Sequence, residues 1–261
     1  MSQNNKNTKV KVLGCSGGIG AGLRTTSLLV DGDILIDAGT GVGDLTMDEL
    51  IAIDHIFVTH SHLDHIACIP FLLDTVIGMR PNPVTVHATA ETLAILKQHI
   101  FNWKIWPDFN AIPDKNTPFL QYSEVTLGQA TSIGGRKITA LPARHVVPAV
   151  GYQIDSGQNT LVFSGDTTNC DAFWDVVNKI ANLKYLLIET AFSNSENELA
   201  KLSKHLCPSM LAYELNKLII PASIYITHLK PGESNMIMQE IAASDVGRSC
   251  TALENNQVFI L

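Results

Sequence analysis

Thr59-His60-Ser61-His62-Leu63-Asp64-His65 places three imidazoles and a carboxylate directly after the short β-branched run Ile56 to Thr59. On a strand end, His60 and His62 point the same way by the two-residue period, while Asp64 and His65 open the next helical turn and swing toward a neighbouring point. Histidines this close would repel one another when charged unless a metal organised them. Imidazole nitrogen and carboxylate oxygen suit zinc, with manganese or iron as alternatives, and the missing ligands must come from elsewhere in the chain. His145 follows the predicted strand Ile138 to Leu141, Asp166 follows Thr160 to Ser164, and His228 follows Ile224 to Thr227. Strand exits on one rim can converge, so one loop and three distant residues can serve two adjacent ions.

Outward from this motif, strands and helices alternate. Lys9 to Leu13, Ser27 to Val30 and Ile34 to Asp37 read as strands, the last two joined by a turn at Asp31-Gly32-Asp33. Leu45 to Ile53, Ile66 to Gly78 and Ala90 to Ile100 carry helical spacing, the last beginning near Thr89, and Val84 to His87 reads as a strand. Asn102 to Pro118 is a long loop bearing Trp103, Trp106 and Phe109. The second half repeats the order, with strands at Val125 to Leu127, Ile138 to Leu141, Gly151 to Ile154, Thr160 to Ser164, Tyr185 to Glu189, Ile224 to Thr227 and Gln257 to Leu261. Helices are expected at Asp171 to Ile180, Pro208 to Leu218 and Glu233 to Ala243. Gly134-Gly135 and Ser156-Gly157 are turns. This pattern predicts an α/β layered fold, two sheets with helices outside, in a single domain over residues 1–261.

Hydrophobic residues make up 46% of the chain and charged residues 16%, enough apolar surface for a large core. The net charge of −7 is a poor match for a nucleic-acid polymer. No run of apolar residues is long enough to span a bilayer, and Met1 to Thr8 lacks the apolar segment of a secretory signal. Five scattered cysteines, never in a Cys-x-x-Cys pair, fit a reducing cytoplasm and small buried hydrophobes. Low charge content implies a large apolar share of surface and motivates a homodimer. His55, His87 and His99 stand alone and read as satisfied structural residues, and Gly14 to Gly22 as a tight rim loop.

His60-x-His62-x-Asp64-His65 with His145, Asp166 and His228 resembles the metallo-β-lactamase fold over nearly the whole chain. The resemblance implies a four-layer αββα sandwich. It implies one metal on His60, His62, His145 and bridging Asp166, and a second on Asp64, His65, Asp166 and His228. Asp37 is similar to the family's buried aspartate that orients a ligand. Aspartate rather than cysteine at 166 resembles the members with two like metals. His62-Leu63-Asp64-His65, Asn102-Trp103, Trp106-Pro107-Asp108-Phe109, Ser164-Gly165-Asp166-Thr167, His205-Leu206-x-Pro208 and Thr227-His228-Leu229-Lys230-Pro231 are similar to class II cyclic-nucleotide phosphodiesterases; Cys68 stands where that class carries a small residue such as glycine. That resemblance implies hydrolysis of cyclic AMP or cyclic GMP to the nucleoside 5′-monophosphate by a hydroxide shared between two metals, which Asp64 also steers. It further implies that His205 meets the scissile phosphate as general acid, with Glu189 holding its ring protonated. Trp103, Trp106 or Phe109 would stack the base, worth ~1–3 kcal/mol. The competing readings are a transfer-RNA 3′-processing nuclease, which needs a basic clamp that this charge balance does not offer, and a thioester or lactam hydrolase, which has no use for Glu189 and His205.

Overall fold

Ile34, Leu35 and Ile36 are all fully buried, yet they face two different cores: Leu35 packs with the outer helices and its neighbours pack between two sheets. A strand covered on both faces reads as a continuous apolar run rather than an alternation. The same division recurs across the molecule. Phe57 points inward while Ile56 points outward, and Leu161 and Phe163 point inward while Val162 points outward.

The computed structural model describes residues 7–244 and 247–261. The polar character read at residues 1–6 lies outside the described residues. The first half contributes β1 (Lys9–Gly14), β2 (Ser27–Val30), β3 (Ile34–Ile36), β4 (His55–Phe57), β5 (Val84–Ala88) and β6 (Leu120–Glu124). The second contributes β7 (Ala130–Ile133), β8 (Arg136–Pro142), β9 (Val150–Asp155), β10 (Thr160–Phe163), β11 (Leu183–Glu189), β12 (Ser223–Thr227), β13 (Cys250–Ala252) and β14 (Val258–Ile260). They form two seven-stranded sheets, ordered β14-β1-β2-β3-β4-β5-β6 and β13-β12-β11-β10-β9-β8-β7. Antiparallel pairing runs from β14 to β3 and parallel pairing from β3 to β6; β7 to β10 and β10 to β13 repeat that division. The similar order read in the two halves of the sequence is thus matched in the pairing of the sheets.

Helices α1 (Met47–Ile51), α2 (Leu63–Ile66), α3 (Cys68–Val76) and α4 (Ala90–Ile95) belong to the first half. Helices α5 (Asp171–Val177), α6 (Asn197–Ser203), α7 (Pro208–Leu215) and α8 (Ser234–Ala243) belong to the second. Ile69, Leu72 and Leu73 of α3 pack on Ile56, Val84 and Val86. Phe173 and Trp174 of α5, Leu211 and Leu215 of α7, and Ile237 and Ile241 of α8 pack on Leu186, Ile188, Ile224 and Ile226. Between the sheets lies a third core of Val10, Val12, Leu28, Phe57, Ile138, Tyr152 and Ile154, completing the expected αββα layering.

Local chemistry sets several boundaries. Thr46 and Glu49 cap α1 reciprocally, and Thr89 caps α4 as expected. Gly134 and Gly135, at φ 54° and 87°, make the two-residue turn between β7 and β8, where both positions need the left-handed region. The segment Val125 to Leu127, expected as a strand, is instead the crossover between the sheets: Val125 N–H donates to Ala88 O, and Leu127 bridges to Ala140. Its apolar character comes from the inter-sheet core that Val125 enters. Strands β6, β7 and β13 are outermost in their sheets and carry polar residues on exposed positions, so periodicity missed them; α6 buries only Ala200 and was missed for the same reason. The expected helix Ile66 to Gly78 begins earlier, at Leu63, and is divided into α2 and α3. None of the five cysteines forms a disulfide. Among the described residues, no helix is long and apolar enough to cross a membrane.

Two contacts lock the sheets together where β4 ends. Tyr152 Oη donates to Val58 O at 3.0 Å, and Val150 N–H donates to Thr59 O at 3.0 Å. They fix the histidine-bearing loop of the first sheet against β9 of the second.

His87 stacks on Phe57 at 4.2 Å with its Nε2 3.0 Å from His55 Nδ1, but its buried Nδ1 has no partner, so it is not the fully satisfied residue expected. Burial, then the neighbouring His55, lowers the His87 pKa from 6.5 to about 4. Between these values the unfolded chain takes up a proton that the folded protein refuses. The contribution is therefore complete above pH 6.5 and is lost as pH falls toward 4, on the order of 3 kcal/mol. Urea unfolding of wild type and His87→Gln at pH 7 and pH 4.5 is expected to show a smaller acid loss in the variant; equal losses would refute this assignment.

Candidate metal centre

The chain leaves β4 extended, with His62 as the residue preceding α2, so Asp64 and His65 occupy the first turn of that helix. Asp166 lies just beyond β10, His145 between β8 and β9, and His228 immediately after β12. All lie at one rim, where the carboxyl ends of β4, β10 and β12 meet. His228 holds φ at 63°, a left-handed backbone uncommon for a residue with a Cβ. The rim loop secures it: His228 N–H donates to Cys15 O at 2.8 Å, and Gly17 N–H donates to Leu229 O at 3.1 Å. A Cβ on Gly17 would stand 2.6 Å from His228 O, so only glycine fits there.

Ligand atoms of His60, His62, His145 and Asp166 lie within 4.8 Å of one another, as do those of Asp64, His65, Asp166 and His228. Asp166 belongs to both sets. Its Oδ2 is 3.6 Å from His60 Nε2 and 3.4 Å from His65 Nε2, and its Oδ1 is 3.3 Å from His228 Nδ1. His145 Nε2 is 3.2 Å from His62 Nδ1, and Asp64 Oδ2 is 3.8 Å from both His65 Nε2 and His228 Nε2. Two ligands bound tetrahedrally at about 2.1 Å are separated by about 3.4 Å, so these spacings are those of donors around a common ion. His60 Nε2, His65 Nε2 and both ring nitrogens of His228 are buried without a hydrogen-bond partner. Orphaned lone pairs of this kind are costly unless something binds them. The residues therefore fit a pair of divalent cations.

Electrostatics agree at four of the five imidazoles; at His65 burial opposes protonation, but Asp166 and Asp37 more than offset it and raise the pKa well above its usual value. Burial, then proximity to His65, drives the His60 pKa well below its ordinary range, and burial lowers His62 and brings His145 to about 4 and His228 to about 3. Imidazoles that stay neutral keep a lone pair for a cation. Burial opposes ionisation of Asp166, but His228 and His65 more than offset it and hold the carboxyl well below its ordinary range.

Asp37, at φ 59° and fully buried, stands behind His65, with Oδ2 2.6 Å from His65 Nδ1. Thr59 fixes that carboxylate through its N–H at 2.7 Å and its hydroxyl at 2.8 Å. The contact aims His65 Nε2 into the cluster. We expect Asp37→Asn to weaken divalent-metal affinity about 10–100-fold in an equilibrium dialysis measurement, and unchanged affinity would remove Asp37 from the orienting role.

His205 and Glu189 adjoin both sets. β11 ends on Glu189, which is fully buried; its Oε1 lies 2.8 Å from His205 Nδ1 and also accepts from Thr167 N–H at 3.1 Å, while Leu206 N–H donates to Oε2 at 3.3 Å. The left-handed Lys204, at φ 55°, ends α6 and turns the chain so that His205 faces the rim. Its ring lies 4.9 Å from that of His145 and 5.1 Å from that of His228, between donors of the two sets. Burial opposes protonation of His205, but the Glu189 carboxylate raises its pKa above the usual value.

The β-lactamase superfamily domain model matches residues 33–245. The chain belongs to the β-lactamase superfamily. A probable 3′,5′-cyclic-nucleotide phosphodiesterase of Yersinia pestis is 27% identical over 205 residues, which cover 69% of this chain and 58% of that protein. A ribonuclease Z of Haloarcula marismortui is 33% identical over 155 residues, 56% of this chain and 47% of that one. The chain thus spans about half the length of these curated relatives. Unliganded yeast PDE1 superposes with a TM-score of 0.81 at 17% identity, covering 98% of this chain and 99% of that one. The metallo-β-lactamase fold protein YhfI of Bacillus subtilis gives 0.78 at 18% identity, covering 98% and 100%. These likenesses establish the metallo-β-lactamase fold that the sequence led us to expect.

The three aromatic residues expected to stack the base fall in three different places in this superfamily member. Phe109 is 2% exposed and packs against Phe119 in the core, which removes it as a stacking face and corrects its expected role. Trp106 packs edge-on against Phe71 at 5.4 Å and lines a groove with Leu63, Ile105 and Ile100. Trp103 is 64% exposed at φ 64°. Leu63, which stands between His62 and Asp64, ties the groove to the candidate metal centre. Sequence reasoning missed Thr59, although it opens the histidine motif, and missed Lys204, whose carbonyl oxygen lies 3.1 Å from His145 Nδ1. A backbone carbonyl leaves no trace in residue identity.

Proposed function

We propose that this β-lactamase superfamily member is a phosphodiesterase that hydrolyses 3′,5′-cyclic nucleotides to nucleoside 5′-monophosphates. His60, His62, His145 and Asp166 would hold one divalent ion, and Asp64, His65, Asp166 and His228 the other, with zinc the expected metal. The observation that carries the reading is the pair of donor sets sharing Asp166, with the Glu189–His205 pair set between them. The likeness to a probable cyclic-nucleotide phosphodiesterase supports the substrate.

Two divalent ions, when bound, supply Lewis acidity toward phosphoryl oxygens and lower the pKa of coordinated water. The chain's own residues do the rest. His205, kept protonated by Glu189, donates its Nε2 proton to the leaving 3′-oxygen. The fixed Glu189 contacts leave its ring little freedom to reorganise during the reaction. Asp64 is the most solvent-accessible of the clustered carboxylates and is placed to orient an attacking water. The groove of Leu63, Ile105 and Trp106 offers the base an apolar face beside the phosphate.

A ribonuclease reading is supported by the ribonuclease Z likeness but opposed by the net charge of −7. Metal-loaded protein offered cyclic AMP, cyclic GMP and a precursor transfer RNA in parallel is expected to yield nucleoside 5′-monophosphate; cleavage of the RNA alone would overturn the substrate. A cytoplasmic setting and a homodimer belong to the same proposal, supported by the unpaired thiols and the low charge content.

A further inference from the structure

One pocket on the second-sheet side of the rim is left unused by the reaction proposed above. It encloses about 240 Å³ and is lined by Arg144, Thr168, Asn169, Lys201, Lys204 and Met210. Three of these side chains are cationic in a chain whose net charge is −7, so their convergence runs against the composition. Two are neighbours in sequence of the candidate site: Arg144 precedes His145 and Lys204 precedes His205. Lys204 Nζ donates to His145 O at 2.9 Å, which holds the ammonium beside the rim with further N–H bonds to give. Lys201 is ion-paired with Glu198 at 2.8 Å, but that carboxylate is largely exposed to solvent and screens it weakly. Glu214, which accepts from Asn169 at 2.7 Å, is already neutralised by Lys217 at 2.6 Å. The Arg144 guanidinium makes no hydrogen bond or ion pair among the described residues, while its backbone is fixed by Thr167 and Thr168. An exposed arginine fork on a fixed backbone, flanked by two ammonium groups and the Thr168 hydroxyl, offers a phosphate group bidentate hydrogen bonding and compensating charge.

We propose that this pocket binds a second phosphate of the substrate, so that linear nucleotide phosphodiesters carrying a further phosphate beside the scissile one are favoured over those lacking it. The inference rests on the phosphodiesterase reading for the position of the scissile group and widens the substrate class beyond cyclic mononucleotides, which have a single phosphate. Arg144 is the main anchor, as a bidentate donor, and Lys204 and Lys201 add charge on either side.

The test combines binding with turnover, using metal-loaded protein throughout. Calorimetric titration compares adenosine 3′,5′-bisphosphate with AMP, and turnover compares the dinucleotide pApA with ApA. Wild type is expected to bind the bisphosphate about tenfold more tightly than AMP, and to show a similar preference in kcat/KM for pApA, as a charge-assisted contact would give. Both ratios are expected to fall toward one in Arg144→Ala, to fall partway in Lys201→Ala, and to be partly restored in Arg144→Lys. Ratios near one in wild type, or ratios unchanged in Arg144→Ala, overturn the proposal. Cleavage of both dinucleotides without preference would defeat this pocket and leave the phosphodiesterase reading standing. An Arg144-dependent preference for the bisphosphate without cleavage of either dinucleotide or of cyclic AMP would keep the pocket and defeat that reading.

Discussion

Asp166→Ala is expected to lose bound metal and activity together. Its carboxylate is the donor common to both sets, buried at the junction and within 3.3–3.6 Å of nitrogens from His60, His65 and His228. It is also the anionic charge that two dications lying side by side need. Elemental analysis should find the two equivalents expected of wild type reduced to one or fewer. Turnover should fall about 10⁴-fold or more, because the electrostatic contribution of such a pair is several kcal/mol and each ~1.4 kcal/mol is a factor of ten. Asp64→Ala serves as the comparison: Asp64 belongs to one set only, so the other ion should be retained. An Asp166→Ala protein that keeps two ions and a tenth of its activity would remove the shared carboxylate from the account.

His205→Ala should behave in the opposite way with respect to metal. Both ions are expected to stay, KM to change little, and kcat to fall about 10²–10⁴-fold, the usual contribution of a general acid. The loss should depend on the leaving group. A diester that expels p-nitrophenolate needs no proton donor and should lose far less than a cyclic nucleotide does. The pH profile gives a second signature. The Glu189 carboxylate holds the His205 pKa above its usual value against burial, so the protonated form, and with it kcat, should persist through neutrality and decline on the alkaline side. In Glu189→Gln that decline should move to lower pH. Loss of metal from His205→Ala would show that the residue is a ligand rather than an acid.

What could be read from residue order, and what could not, follows from where each signal originates. His60, His62, Asp64 and His65 announce a metal because four donors within six residues have no cheaper use. His145, Asp166 and His228 were legible only through their position after apolar runs, and those runs were apolar because both faces of their strands are covered. Phe109 misled for the same reason: an aromatic residue in a loop and one in a core have the same letter, and only the packing on Phe119 decides between them. The outermost strands β6, β7 and β13 were invisible to periodicity because sheet edges carry polar side chains. The crossover at Val125 was mistaken for a strand because the inter-sheet core selects the same residues as a strand does.

Each donor set is split between the two sheets: His60, His62, Asp64 and His65 ride on the exit of β4, whereas His145, Asp166 and His228 ride on β8 through β12. Neither portion of the polypeptide alone can assemble either constellation. Ion capture at the proposed sites would therefore follow the docking of the two halves in register, and a half-formed chain would lack both constellations.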